Sequence, residues 1–188
     1  GMYIRREGES MYSFYLPEWK GVDQETGLGE FWVDPLDHSQ GVTNYYSQAG
    51  SAIVGKALPD FTGGMTNTMT FLDGLLDLSF LISYQFGGSL FDYPGYFTHS
   101  DGFRAASMNA AADAADYWTP QNRDAEFPKP IMNNPYRWDR FSSRLIRSTD
   151  NIRMREITVG CNIPVKKYLE SVRVYFRATN PFMIWSAV

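Results

Sequence analysis

Between Asp77 and Phe86, apolar and polar residues take turns. Leu78, Phe80, Ile82, Tyr84 and Phe86 share one parity, Asp77, Ser79, Ser83 and Gln85 share the other, and only Leu81 breaks the rule. Successive side chains of a strand point to opposite faces, so this period of two predicts a strand with one apolar and one polar face. Upstream, Met65, Asn67, Met69 and Phe71 alternate with three threonines, and Asp73-Gly74 is a strong hairpin signal. The expectation is an antiparallel hairpin of Met65–Leu72 and Leu75–Phe86. Its second arm has 12 residues, against about 5–6 for most globular strands and about 9–11 for a barrel strand crossing a bilayer.

Two further strands are predicted late in the chain. Ile157, Val159, Cys161 and Ile163 alternate with Thr158, Gly160 and Asn162, while Ile152 and Met154 hold the opposite parity. That switch predicts a bulge near Arg155-Glu156. Val172, Val174, Phe176 and Ala178 then alternate with Arg173, Tyr175, Arg177 and Thr179. Near the start, Ser10–Leu16 and Glu30–Val33 read as short strands, Pro35–Gly55 as loop, and Gly63-Gly64 as a bend. Residues 87–151 form a long irregular stretch with one expected helix, Phe103–Tyr117, capped by Ser100 or Asp101. A connection of that length is usually functional or disordered, and its aromatic content argues against disorder.

Composition narrows the choice. The 188 residues can bury a sizeable core. The formal charge of -4, with no basic run, argues against nucleic acid as a partner. The single cysteine, Cys161, excludes an internal disulfide framework. No window approaches the roughly 18 continuous apolar residues of a membrane helix. Alternation is shared by membrane barrels and by sheets with one solvated face, and taken alone it favours the soluble sheet, the commoner of the two. The long strand, the tight turn followed by a long connection, and Arg173 and Arg177 on one strand face favour a barrel with a wet lumen.

The wording of the sequence adds to this. "GVDQETG", "GKALPDFTGGMTNTMTF", "DLSFLISYQFGGSLFD", "YWTPQN", "NIRMREITVGCNIP" and "SVRVYFRATNPF" follow one another in this order. The ordered set, covering roughly Glu7 to Trp185, resembles the C-terminal part of SusC/RagA-type TonB-linked outer-membrane proteins, nutrient importers of Bacteroidetes-type bacteria. The resemblance implies a mainly β fold: antiparallel strands from the C-terminal part of a transmembrane β-barrel, 22-stranded and plugged in the family, with one helix in a long loop. Residues 1–188 would be a partial barrel, with 87–151 an extracellular loop. Plug domain and TonB box would lie outside this sequence, and both ends are read as cuts. Implied partners are a SusD-like surface lipoprotein, TonB through the N-terminal part, outer-membrane lipid, and a glycan or peptide substrate. The alternative from a different class is a soluble β-sandwich carbohydrate-binding module; a secreted glycan-cleaving enzyme is a third.

Candidate chemistry is sparse. "VDPLDHSQGVTN" holds Asp34 and Asp37 but not the spacing of a calcium loop. His38 and His99 read as exposed loop residues without partners at metal spacing. No nucleophile elbow, phosphate loop or recognisable carboxylate pair occurs, so no catalytic residue, metal or cofactor is expected. The remaining candidates, for contact with substrate or lid protein, are the loop aromatics Tyr93, Tyr96, Phe97, Tyr117, Trp118, Tyr136 and Trp138. The competing reading is that they pack the loop onto itself.

Overall fold

A computed structural model describes residues 1–165 and 171–187. It is mainly antiparallel β and divides into two compact units, one of Gly1–Ala57 with Ser89–Arg147, the other of Leu58–Gly88 with Ser148–Val188.

The first unit carries short strands. β1 (Tyr3–Ile4), β2 (Ser13–Pro17) and β6 (Ser51–Lys56) make one sheet; β3 (Trp19–Val22), β4 (Gly29–Trp32) and β5 (Val42–Thr43) make another. β9 (Ser89–Phe91) pairs with β10 (Ile146–Ser148). Its core contains Phe14, Leu16, Phe31, Phe127, Trp138 and Leu145, all buried. The expected loop Pro35–Gly55 thus hides two strands. Residues 51–56 extend because β2 offers them an edge, with Leu16 opposite Ala52 and Ser13 opposite Lys56.

The helix expected over Phe103–Tyr117 lies elsewhere. α1 spans Tyr93–Thr98; the Asp92 side chain caps it by accepting from the Gly95 N–H, and a proline sits in its first turn. The alanine-rich segment is only turns plus a 3-10 turn at Asp113–Ala115. Its cap exists, since the Arg104 N–H donates to Ser100 Oγ at 3.2 Å. But Asp101 and Gly102 take φ of 48° and 86°, and residues 105–110 are exposed with no apolar face to bury. A helix that short needs such a face, because propensity alone leaves it marginal.

The second unit is one four-stranded sheet, ordered β12 (Ser171–Ser186), β11 (Asn151–Pro164), β8 (Leu76–Phe86) and β7 (Phe61–Phe71), all antiparallel. The β7–β8 hairpin turns where the alternation and Asp73-Gly74 predicted it. Asp73 and Gly74 both have positive φ, and the Leu75 N–H closes the turn on the Leu72 carbonyl at 3.1 Å. Gly63-Gly64 is strand rather than bend. Tyr84 lies over Gly63, where a Cβ would meet the phenol at 2.4 Å. The expected bulge is also present: register slips between Met154 and Glu156 against both neighbouring strands.

Candidate functional site

The four-stranded sheet sorts its side chains almost completely by polarity. Following the register from β8 outward, Leu78 faces Met69 and Val159, Phe80 faces Asn67 and Ile157, and Ile82 faces Met65 and Met154. On β12, Val174, Phe176 and Ala178 continue this face opposite Cys161, Val159 and Ile157. It ends in a band of rings, with Phe86 6.0 Å from Tyr84 and 6.2 Å from Trp185. The face is uncovered: Val174 is 60%, Phe176 70% and Phe182 52% exposed. A contiguous apolar patch of this kind marks a surface that meets something other than water.

The opposite face is a polar network. Asp77 Oδ2 accepts from Arg173 Nη2 at 2.6 Å, and Asp77 Oδ1 from Asn162 Nδ2 at 3.1 Å. Glu156 lies 3.5 Å from Arg177, and Thr158 links the two, donating to Glu156 Oε1 at 3.1 Å and accepting from Arg177 Nε at 3.3 Å. Tyr175 sits between the two guanidiniums, 5.5 Å from one and 5.7 Å from the other. Gly160 makes the first link possible. The Asp77 carboxylate lies over it on the way to β12, where a Cβ would stand 2.5 Å from Oδ1.

The seven aromatic candidates fall into three separate groups in the first unit. Tyr93, Tyr96 and Phe97 cluster on α1, with Phe141 4.8 Å from Tyr96 and the Arg104 guanidinium 4.2 Å above the Tyr96 ring. Tyr136 stacks on Trp138 at 5.2 Å, and Trp138, 1% exposed, donates its indole N–H to the Asn44 carbonyl at 2.9 Å. Trp118 covers Gly27, where a Cβ would be 2.4 Å from the indole, and donates to the Gln24 carbonyl at 2.9 Å. That last contact pins the "GVDQETG" turn, in which Asp23 accepts from Thr26 Oγ1 and from the Glu25 N–H at 3.0 Å. These bonds hold the Asp23 carboxyl below its ordinary value, with the Thr26 hydroxyl the larger cause. Tyr93 and Tyr117, 55% and 40% exposed, offer the freest rings of the seven.

The histidines divide. His38 is half exposed and stacks on Trp32 at 3.9 Å. His99 is not an exposed loop residue: its side chain is largely covered, packs on Phe127 and bonds Asp113 at 2.9 Å. Asp34 and Asp37 spend lone pairs on the turn itself, accepting from the N–H groups of Leu36 and Ser39. Among the described residues no group of three or more His, Cys, Asp or Glu could hold a metal ion.

A feature that sequence reading missed lies beside β3. A pocket of about 270 Å³ is lined by Trp19, Phe127, Glu126, Arg144 and Arg147 among others. Arg144 forms a bidentate pair with buried Asp101, at 2.5 and 2.9 Å, and its guanidinium lies 4.9 Å from the Trp19 ring and 5.1 Å from the Phe127 ring. Nothing in the spacing of residues 19, 101, 127 and 144 announces this convergence.

Comparison with known proteins agrees with the β-sheet evidence. No family model matches the chain. It is similar to TonB-dependent receptor P3 of Formosa agariphila, 29% identical over 94% of this chain, and to TonB-dependent receptor P26 of the same organism, 24% identical over 95%. The chain spans 18% and 19% of those two proteins. Among solved structures it superimposes on the RagAB peptide transporter with a TM-score of 0.73 at 21% identity, covering 92% of this chain and 19% of that one. The RagAB peptide importer in its closed-closed state gives 0.75 at 22% identity, over 93% and 19%. These relatives and neighbours are receptors and transporters rather than enzymes.

Proposed function

We propose that this chain, a relative of TonB-dependent receptors of the SusC/RagA type, supplies part of the barrel wall and aqueous-side loops of an outer-membrane importer. The single observation that carries the reading is the two-faced sheet. Its apolar face is bare, band-ended with rings and wide enough for lipid; its polar face is an ion-paired network suited to water. In this reading Leu78, Phe80, Ile82, Tyr84 and Phe86 contact lipid, and Asp77, Ser79, Ser83 and Gln85 face the lumen.

The finer parts of the reading follow from kinship with an importer and from the loops. The first unit serves as extracellular loop structure, Tyr93 and Tyr117 being its freest rings for contact with substrate or with a SusD-like lid. TonB engages a part of the protein outside this sequence. The cargo is a peptide or a glycan oligosaccharide; the peptide importers named above support the former. The β-sandwich alternative is disfavoured, because a sandwich buries the apolar face that here stays open.

Cysteine labelling tests the sidedness. With Cys161 changed to serine, single cysteines replace Ala178 or Thr179, adjacent residues on opposite faces of β12. In outer membranes, a water-soluble maleimide should label the Thr179→Cys protein and spare the Ala178→Cys protein. Equal labelling of the two would refute the lipid-facing wall.

A further inference from the structure

The pocket beside Trp19 has a charge pattern that the barrel wall does not require. A guanidinium carries five N–H donors in a fixed fork. Arg144 directs Nη1 and Nη2 to Asp101, which leaves Nε–H and the second hydrogens of both Nη atoms without a hydrogen-bond acceptor among the described residues. Arg147 is held more loosely: its Nε is 3.8 Å from Asp92 Oδ2, beyond hydrogen-bond range, and its side chain is 40% exposed. Glu126, on the same lining, has neither an ion pair nor a hydrogen bond among the described residues. Trp19, only partly buried, supplies the ring surface, and Phe127 and Leu145 lie nearly buried behind the pocket. One pocket thus presents two guanidiniums with spare donors, one unpaired carboxylate and a ring surface.

We propose that this pocket binds a small organic carboxylate that also carries a hydrogen-bond donor. The ligand carboxylate takes the fork of Arg147 and the free edge of Arg144, the pairing for which guanidinium geometry is best suited. Glu126 accepts from the ligand's ammonium or hydroxyl groups, and the carbon skeleton lies on the Trp19 side of the pocket. Asp101 and the two rings fix Arg144 before any ligand arrives, so little ordering cost remains on binding. Glu126 disfavours a phosphate dianion, which has the charge for the arginines but no donor for the carboxylate. Two sources share the required chemistry: the end of a peptide, and an acidic sugar. The proposal rests on the importer reading for its biological role, as a cargo contact, and not for the binding itself.

The test is calorimetric titration of the chain in detergent micelles with glycyl-leucine, its C-terminal amide, D-glucuronate, D-glucose and inorganic phosphate. The expected result is saturable binding of at least one carboxylate, with its counterpart lacking the carboxylate, and phosphate, at least tenfold weaker. Preference for the dipeptide assigns a peptide end; preference for glucuronate assigns an acidic sugar. Arg147→Gln should weaken the favoured ligand at least tenfold, and Arg147→Lys by less, with circular dichroism confirming unchanged strand content. Binding of neither carboxylate, equal binding of the forms that lack the carboxylate, or indifference to Arg147→Gln would overturn the proposal. None of these results touches the sidedness of β12, which the maleimide labelling reads independently.

Discussion

Phe80 and Leu81 are neighbours at the middle of β8, both apolar, and on opposite faces. Phe80 faces Asn67 and Ile157; Leu81 faces Thr66 and Glu156. In the proposed barrel wall a strand of 11 residues at the usual tilt spans about 25 Å, which puts its centre near the bilayer midplane. An arginine facing lipid there costs about 2–4 kcal/mol. Leu81→Arg instead points into lumen water and gains Glu156 as a cross-strand partner, worth about 0.2–1 kcal/mol. The two substitutions, matched in position and in the residue introduced, should therefore differ by roughly 40- to 4,000-fold in folding equilibrium. Phe80→Ala separates lost ring contact from buried charge, and should fall between them. The assay is the folded fraction of each full-length variant in outer membranes, read by heat-modifiable gel mobility. Equal folding of the two arginine variants, or worse folding of Leu81→Arg, would refute the assignment of faces.

Other outcomes follow from particular contacts. Gly160→Val should destabilise by about 1–3 kcal/mol, the range for overpacking, by driving Asp77 off Arg173, and more than Asp77→Asn does; urea unfolding in micelles measures both. Asp101→Ala strands the buried Arg144 guanidinium and should cost about 3–5 kcal/mol, seen as early loss of near-ultraviolet dichroism on heating. The Asp23 carboxyl is held below its ordinary value of 3.8. A lowered folded value gives stability that is full above 3.8 and is lost as pH falls through the lower folded value. Carboxyl NMR titration should find its midpoint below 3.8, and Thr26→Val should move it upward; a midpoint at or above 3.8 in the parent chain would contradict the hydrogen-bonded turn.

Long strands were legible in the sequence because each carries its own evidence. In β8 the period of two is broken only by Leu81, in the first half of β12 it runs uninterrupted, and the β7–β8 turn has chemistry that few other structures use. In the first unit β2 and β4 were legible, lying close to the expected Ser10–Leu16 and Glu30–Val33, but the other short strands were not. β5 and β6 extend because neighbours offer edges, a property of the pairing and not of "VT" or "SAIVGK". Propensity misled over residues 103–117, where alanines favour helix but nothing is buried by forming one. α1 escaped notice because "YPGYFT" contains proline and glycine, and distant partners help hold it: the rings of Phe91 and Phe141 and the Arg104 guanidinium, beside the Asp92 cap. The pocket was invisible for a different reason: Trp19 meets residues drawn from several separate loops between His99 and Arg147, and each looks ordinary alone.

The end of β12 explains why its alternation faded where the strand did not. Between Thr179, opposite Glu156, and Phe182, opposite Met154, β12 passes two residues while β11 passes one. The extra residues meet: Arg155 Nη1 donates to Asn180 Oδ1 at 2.9 Å, and Asn180 takes a φ of 50°. Pro181, which has no N–H to offer, sits where the ladder is already interrupted. A second slip lies between Arg153, opposite Met183, and Ile152, opposite Trp185. Without the first slip, the parity set by Ile157 and Val159 would turn Met154 and Ile152 to the polar face and Arg153 to the apolar one. With the slips, Ile152, Met154, Phe182 and Trp185 join the apolar face and Arg153 stays on the polar side. The irregularities that blur the sequence pattern keep one face continuous over all four strands, as the proposed wall between lipid and water requires.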